Sequence, residues 1–446
     1  APALRLLRLL SRQLFEPKRF RDLVFHSRGA YGGIYKAKLD DEVAAAALAA
    51  AQQAVAPGQQ PAHMPQIMVK AIELPTSGFD RCLLRDVYEE VAILERYALQ
   101  PLSPVPLLAS TAAGKSATAT TSSAYTGICQ LMDYGLTQDA YWIVMRRYRC
   151  SLAEWRARQQ GGPAQPRAAA LYLSVLLQVV DALAVLAADS VVHFDLKAAN
   201  VLVEPHAGVK DGQLWGPAPP PPCEPPFSVV LADFGEARAY RSAEEAFTAR
   251  NRGTEVYKSP EMLMMNFMSG GSLGMPSSSM PSTPAAGAAG AGAGAVFGGS
   301  GSSQPAGKAE ASATAAAALR KGGAGLASDI WSFGCLVFEV LTGRVLFADA
   351  DYASVTHRVA FGGGRHLALT PSERAALGSR TTSTNTGAAA GSSARGAAAD
   401  AGEVAAGAVF AELVEWILIR DPAARPSLPA IRARLEALRA ECLARA

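Results

Sequence analysis
The run VVHFDLKAANVLV (Val191–Val203) sets Asp195, Lys197 and Asn200 in a short polar stretch between an apolar helix pattern and an apolar strand pattern. Three polar groups converge where a core element would normally be greasy. These residue types suit one chemistry. An aspartate can accept a hydroxyl proton and orient that oxygen as a nucleophile, a lysine can neutralise a transferring phosphoryl group, and an asparagine oxygen can ligate Mg2+. Further along, VVLADFGEAR (Val229–Arg238) ends an apolar strand on Asp233, followed by Phe234 and Gly235, and that carboxylate is a natural second metal ligand.

Two earlier segments can complete such a site. SRGAYGGIYKA (Ser27–Ala37) sets Gly29 and Gly32 in a turn between two strand patterns, where backbone N–H groups can approach phosphates without a Cβ in the way. A glycine-rich hairpin with no ligand has the same pattern. IMVKAI (Ile67–Ile72) reads as a buried strand with Lys70 in its middle, and a cation there needs a partner. On the helix that follows, Leu83, Val87, Glu90 and Leu94 share one face, so Glu90 points inward, whereas Glu89 sits beside Arg85, Asp86 and Ala92 on a wetter side. Glu90 is the expected partner of Lys70. The alternative is a purely structural ion pair, although buried pairs are weak sources of stability.

These residues need a frame. Strand-like runs at Ile34–Lys38, Ile67–Ile72, Ile128–Met132 and Tyr141–Met145, around one clear helix at Asp80–Leu99, predict a small sheet with a helix on it. Later segments read as helical at Ala168–Ala188, Asp329–Thr342, Ala411–Ile419 and Pro429–Leu443, with short strands at Val201–Val203 and Val229–Ala232. The pattern is α+β, a β-rich lobe followed by an α-rich lobe. Five low-complexity stretches interrupt it: Glu42–Pro65, Ser103–Tyr125, Glu204–Phe227 (which contains PAPPPPCEPP), Met268–Gly325 and Gly378–Gly407. They read as disordered insertions, and the segments between them are too short to fold alone, so those segments assemble into one body. By length the chain would hold about three domains, but removing about 160 residues of insertion leaves about 285, which fits one bilobal domain.

Composition excludes other classes. The 42 Lys+Arg and 39 Asp+Glu, net +3, are spread along the chain and give no basic face for nucleic acid. The six cysteines (Cys82, Cys129, Cys150, Cys223, Cys335, Cys442) are far apart, without C-x-x-C or His at ligand spacing, which disfavours zinc or a disulfide framework and points to a reducing, intracellular and cytoplasmic setting. The most apolar window, Leu171–Val192, carries Gln178, Asp181 and Asp189, so a buried helix is expected rather than a membrane span. The opening LRLLRLLSRQLF, within a lead of residues 1–22, reads as an amphipathic helix on the domain, with a targeting segment as the alternative.

Taken in order, the glycine loop, strand lysine, helix glutamate, HFDLKAAN, DFG, SPE and the aspartate-bearing apolar helix resemble the eukaryotic protein kinase family, from about Leu23 to Leu443. The resemblance implies a bilobal fold with an N-lobe over about 23–147, containing one main helix, and a larger helical C-lobe over about 148–443. It also implies transfer of the ATP γ-phosphate, with Mg2+, to Ser/Thr hydroxyls of protein substrates. On it, Ser27, Gly29 and Gly32 form the phosphate-covering loop, Lys70 holds the α/β-phosphates and Glu90 anchors Lys70. Asp195 is then the catalytic base, Lys197 meets the γ-phosphate, and Asn200 and Asp233 hold the metal. Ile34, Met68, Met145 and Leu202 surround the adenine, whose edge bonds to the backbone around Arg146–Tyr148. RGTEVYKSPE (Arg252–Glu261) ends an activation segment in which Thr254 faces the substrate. Glu261 pairs with Arg425, Asp329 holds the catalytic-loop backbone, and His193 and Phe234 complete the structural set.

The sequence departs from the family pattern at three places. Ser27 replaces the first loop glycine. Met68 replaces the small residue over the adenine, and its flexible side chain either narrows the pocket or bends aside. Phe194 replaces the arginine before the catalytic aspartate, so a phosphorylated activation loop loses its bidentate partner, and activity independent of that phosphorylation is expected. HFDLK and GTEVY resemble serine/threonine rather than tyrosine kinases, and HFDLKAAN is similar to plant-type Raf-like and mixed-lineage members of the tyrosine-kinase-like group. The alternative reading is a pseudokinase acting as a nucleotide-binding scaffold. A kinase of lipids or small molecules is disfavoured by RGTEVYKSPE. The Pro-rich stretch reads as a solvated spacer, with docking of an SH3- or WW-type partner as its functional alternative.

Overall fold
The computed structural model describes residues 2–29, 32–40, 67–76, 80–98, 127–248, 250–268, 324–347, 351–379 and 397–446. The expected insertions at Glu42–Pro65 and Ser103–Tyr125, and most of those at Met268–Gly325 and Gly378–Gly407, lie outside the described residues.

The first lobe is built on β1 (Phe20–Gly29), β2 (Gly32–Leu39), β3 (Ile67–Glu73), β4 (Leu131–Leu136) and β5 (Ala140–Arg146), paired antiparallel in the order β1-β2-β3-β5-β4. The apolar run around Lys70 is the middle strand, with Lys70 opposite Ile34 on one side and Ile143 on the other. Gly32 is obligatory there, because a Cβ would lie 1.9 Å from the Ala71 carbonyl oxygen. The expected strand at Ile128–Met132 is displaced to Leu131–Leu136. It continues through the buried Asp133 because that carboxylate accepts from the Tyr134 N–H and pairs with Arg8, while Ile128 instead bridges to Leu231 of the other lobe.

Helix α1 (Pro2–Leu10) and the loop after it pack into this lobe rather than leading away from it. Leu9 is fully buried, Arg5 reaches Glu95 at 2.6 Å, and Phe15 is buried between Phe20 and Trp142. Helix α2 (Arg81–Tyr97) is capped by Asp80, whose Oδ1 accepts from the N–H groups of Cys82 and Leu83.

The second lobe contains α3 (Leu152–Arg158), α4 (Pro166–Ala188), α5 (Asp211–Leu214), α6 (Pro260–Met268), α7 (Leu326–Thr342), α8 (Tyr352–Ala360), α9 (Pro371–Leu377), α10 (Ala397–Ile417) and α11 (Leu428–Ala444). Every residue of α7 from Ser328 to Thr342 is buried, which is why its sequence is apolar all round. Among the described residues α4 alone is long and apolar enough to cross a membrane, and it is mostly buried here, packed on α7 and α11. Its polar residues have partners: Gln178 bonds the Phe227 carbonyl and the Val229 N–H, Asp181 pairs with Arg432, and Asp189, at the end of the helix, accepts from the Tyr97 hydroxyl.

Two expectations are corrected here. Glu204–Phe227 is not a free polymer: it starts in β8 (Val201–Pro205), which pairs with the short β6 (Cys150–Ser151), passes through α5 and ends in β9 (Phe227–Leu231), with Leu214, Cys223 and Phe227 buried. Arg439 of α11 donates to the Pro222 carbonyl at 3.0 Å and pairs with Glu224. Apolar anchors spaced between prolines hold a stretch that composition alone reads as a spacer. The helix expected at Ala411–Ile419 begins instead at Ala397, inside the expected Gly378–Gly407 insertion, because the alanine-rich sequence there has the highest helix propensity.

Candidate active site
The cleft between the lobes, about 710 Å³, is lined from the sheet by Ser27, Ile34, Met68, Lys70 and Met145, from the connection by Arg146–Ser151, and from the second lobe by Asn200, Leu202 and Asp233. That size suits a small-molecule site. Gly29 and Gly32 are paired with each other at the hairpin. Met68 and Met145 are cross-strand partners on the cleft wall. Tyr148 turns its hydroxyl to the Gln130 N–H at 3.1 Å, and of the connection's three arginines Arg146 pairs with Glu204 and Arg149 with Asp211.

The sheet half of the site is a charge cluster. Lys70 Nζ donates to Glu90 Oε1 at 2.8 Å and Oε2 at 3.0 Å, and to Asp233 Oδ1 at 2.8 Å. Glu90 is 2% exposed, while the Asp233 side chain is half exposed to the cleft. Burial disfavours the Lys70 charge, but Glu90 and Asp233 outweigh it and raise its pKa. Lys70 in turn holds the Asp233 carboxyl down at about 2, against the opposing effect of burial. Glu89, next in sequence, faces the other side and bonds Arg85 at 3.1 Å, as the helical periodicity predicts.

The helical half is a short loop between β7 (Val191–Val192) and β8. Asp195 accepts four bonds: Oδ1 from the Thr254 N–H at 2.8 Å and hydroxyl at 2.6 Å, and Oδ2 from Lys197 Nζ at 2.8 Å and Asn200 Nδ2 at 2.9 Å. Lys197 also donates to the Thr254 hydroxyl oxygen at 2.6 Å. A carboxylate with both oxygens so directed has one orientation. Thr254 can come this close because Gly253 has φ +83°, and a Cβ there would sit 2.2 Å from the Phe194 carbonyl oxygen.

The loop is held from below. Asp329 of α7 accepts from the N–H groups of His193 at 2.7 Å and Phe194 at 2.9 Å. Phe194 has φ +62°, a conformation worth about 1–3 kcal/mol of strain for a non-glycine residue, and these two bonds fix it. His193 Nδ1 accepts from the Asp195 N–H, which leaves Nε2–H to donate to the Ala232 carbonyl at 3.1 Å and ties the loop to the segment carrying Asp233. Phe234 is fully buried, its ring 4.9 Å from that of His193. Glu261 and Arg425, each with a side chain 1% exposed, form two parallel bonds of 2.7 Å. Burial opposes the Glu261 charge, but Arg425 prevails and lowers its pKa.

Of the expected site residues, Ser27, Ile34, Met68, Lys70, Met145, Tyr148, Asn200, Leu202 and Asp233 line the cleft, Glu90 and Asp195 are bonded to that lining, Lys197 and Thr254 are bonded to Asp195, and Glu261 and Arg425 are bonded to each other. Sequence reading missed Gly253, the pairing of buried Tyr257 with Glu339 at 2.6 Å, and Arg238, which is buried against Asp86 and Glu89 of α2. The arginine of DFGEAR was in view, but nothing local says which carboxylates it meets.

Residues 116–274 match the protein kinase domain. The chain is 30% identical over 356 residues, 80% of its length, to a probable serine/threonine-protein kinase of Dictyostelium discoideum. Over 106 residues, 24% of its length, it is 39% identical to the serine/threonine-protein kinase PkaA of Streptomyces coelicolor. It spans only 11% of the first relative and 16% of the second.

Proposed function
We propose, taking the protein kinase domain that this chain carries as the premise, that it transfers the γ-phosphoryl group of ATP to serine and threonine hydroxyls of proteins. The observation that carries this reading is the convergence on one cleft of Lys70, Glu90 and Asp233 with Asp195, Lys197, Asn200 and Thr254.

The roles are those that the resemblance to the family implies, and the contacts around the cleft support them. Lys70, fixed by Glu90, presents its charge to the nucleotide phosphates. Asp195 orients an incoming hydroxyl and takes its proton, while Lys197 offsets negative charge on the group in transfer. Met68, Met145, Ile34 and Leu202 supply apolar walls for a flat base, and polar recognition falls to the backbone of Arg146–Tyr148.

The donor set fits Mg2+. Asp233 stays ionised and half exposed beside the cleft, and the Asn200 amide commits its nitrogen to Asp195, which leaves its oxygen available. Two oxygen donors of this kind suit a hard cation shared with substrate phosphates. When bound, Mg2+ would supply positive charge that offsets the negative charge of the phosphates. The subgroup, Raf-like and mixed-lineage members of the tyrosine-kinase-like group, rests on the HFDLKAAN form alone.

A peptide array with Mg2+ and ATP tests the reading. Phosphate on Ser and Thr, lost in Lys70→Met, supports it. Nucleotide binding without transfer would favour the pseudokinase scaffold, in which Met68 fills part of the adenine space.

A further inference from the structure
Helix α2 carries Glu90 on one face and Asp86 and Glu89 on another, and both faces are gripped. Arg238 lies in β10 (Arg238–Ala239), which pairs with β7 just before the catalytic loop, so its backbone is fixed to that loop. Its side chain, 8% exposed, reaches α2: Nε is 3.0 Å from Glu89 Oε2, Nη2 bonds Asp86 Oδ1, and Nη1 donates to the Ala237 carbonyl at 2.6 Å. Arg250 adds a second cation, its Nη1 3.4 Å from the same Asp86 oxygen. Arg252 is bonded to Glu236 at 3.0 Å within the segment itself. Of the potential phosphate acceptors between Asp233 and Thr254, Thr248 is 8% exposed, and its hydroxyl oxygen accepts from the Arg250 N–H at 3.2 Å.

Arg238 plays no part in the chemistry described above, yet it is one of the most buried charges near the site. A buried guanidinium demands anions, and a segment that needed a phosphate to order itself would leave such a cation waiting for one. Here the anions are supplied by α2. Glu89 adjoins Glu90 in sequence, so a bond to Glu89 fixes the rotation of the helix that presents Glu90 to Lys70.

We propose that Arg238 is a positioning residue that locks α2 with Glu90 toward Lys70, with Asp86 and Glu89 as built-in counter-anions, so that the segment after Asp233 is ordered without phosphorylation. The kinetic part of this inference rests on the proposed phosphoryl-transfer activity; the structural part does not.

The test uses the full chain, with hydrogen exchange of the α2 amides and steady-state kinetics measured together. Arg238→Gln is expected to speed α2 exchange and to lower kcat, each by about tenfold or more, with KM for ATP changed less than about threefold. Arg238→Lys should recover part of both. Asp86→Asn with Glu89→Gln should reproduce the loss, and adding Arg238→Gln to that pair should cost little more, because the interaction is already gone. Phosphatase treatment of the wild type should leave kcat unchanged. Unaltered α2 exchange in Arg238→Gln, additive losses, or a loss beyond about tenfold after phosphatase treatment would each overturn the proposal. If Arg238→Gln does not fold, the carboxylate pair variant decides by the same readouts. If the wild type transfers no phosphate, the proposed function fails, and α2 exchange still decides whether Arg238 holds the helix.

Discussion
Lys70, Glu90 and Asp233 come from three separate elements and are joined by charge, whereas Asp195, Lys197 and Asn200 share one short loop whose backbone is bonded to Asp329. The first arrangement survives only while a strand, a helix and a loop from the other lobe keep their relative positions. The second depends on a helix buried from Ser328 to Thr342 and on two N–H groups with one acceptor carboxylate. The cleft thus has a fixed floor and an assembled roof. The residues proposed for proton and phosphoryl transfer lie on the floor, and the ion pairs that join separate elements lie in the roof.

The sharpest way to probe the floor is Asp195→Asn. Removing the proposed base while keeping the shape should lower kcat by about 10²–10⁴-fold, with a folded structure indistinguishable by circular dichroism. Next, Asp329→Ala leaves two buried N–H groups without an acceptor, at about 1–3 kcal/mol each, so urea unfolding should show a loss of about 2–6 kcal/mol. If Asp329→Ala cost no more than a surface change, the floor would not be held as described.

The roof should respond to acid. Asp233 has a folded pKa of about 2 against an ordinary value of 3.8, so its contribution is present above about pH 4 and is lost as pH falls through about 2. Urea unfolding of the wild type and Asp233→Asn at a series of pH values should show a shallower acid loss in the variant. The smallest effects are expected in the segment between the halves. Ser242→Ala and Thr248→Ala should each change kcat by less than about tenfold, or 1.4 kcal/mol, and a larger loss would mean that a phosphate completes the roof.

The floor was the more legible half because its residues are adjacent in sequence. Asp195, Lys197 and Asn200 announce themselves as polar residues in an apolar context. Glu90 could be chosen over Glu89 from helical period alone, since only one of them shares a face with Val87 and Leu94. Contacts across distant segments were not legible. Neither the Arg238 grip on Asp86 and Glu89 nor the Arg146–Glu204 pair follows from local pattern. Composition misled at Glu204–Phe227, where a few apolar residues among prolines were enough to anchor the chain. At Ala397 the alanines that suggested a spacer form the start of a helix.

Transfer of phosphate from γ-labelled ATP to matched peptides differing only in Ser, Thr or Tyr at the acceptor position, run with wild type and Asp195→Asn, tests the central claim most directly. The account predicts label on the Ser and Thr peptides with wild type and its collapse in the variant. Equal labelling by the two proteins, or none by the wild type while ATP still binds, would contradict it.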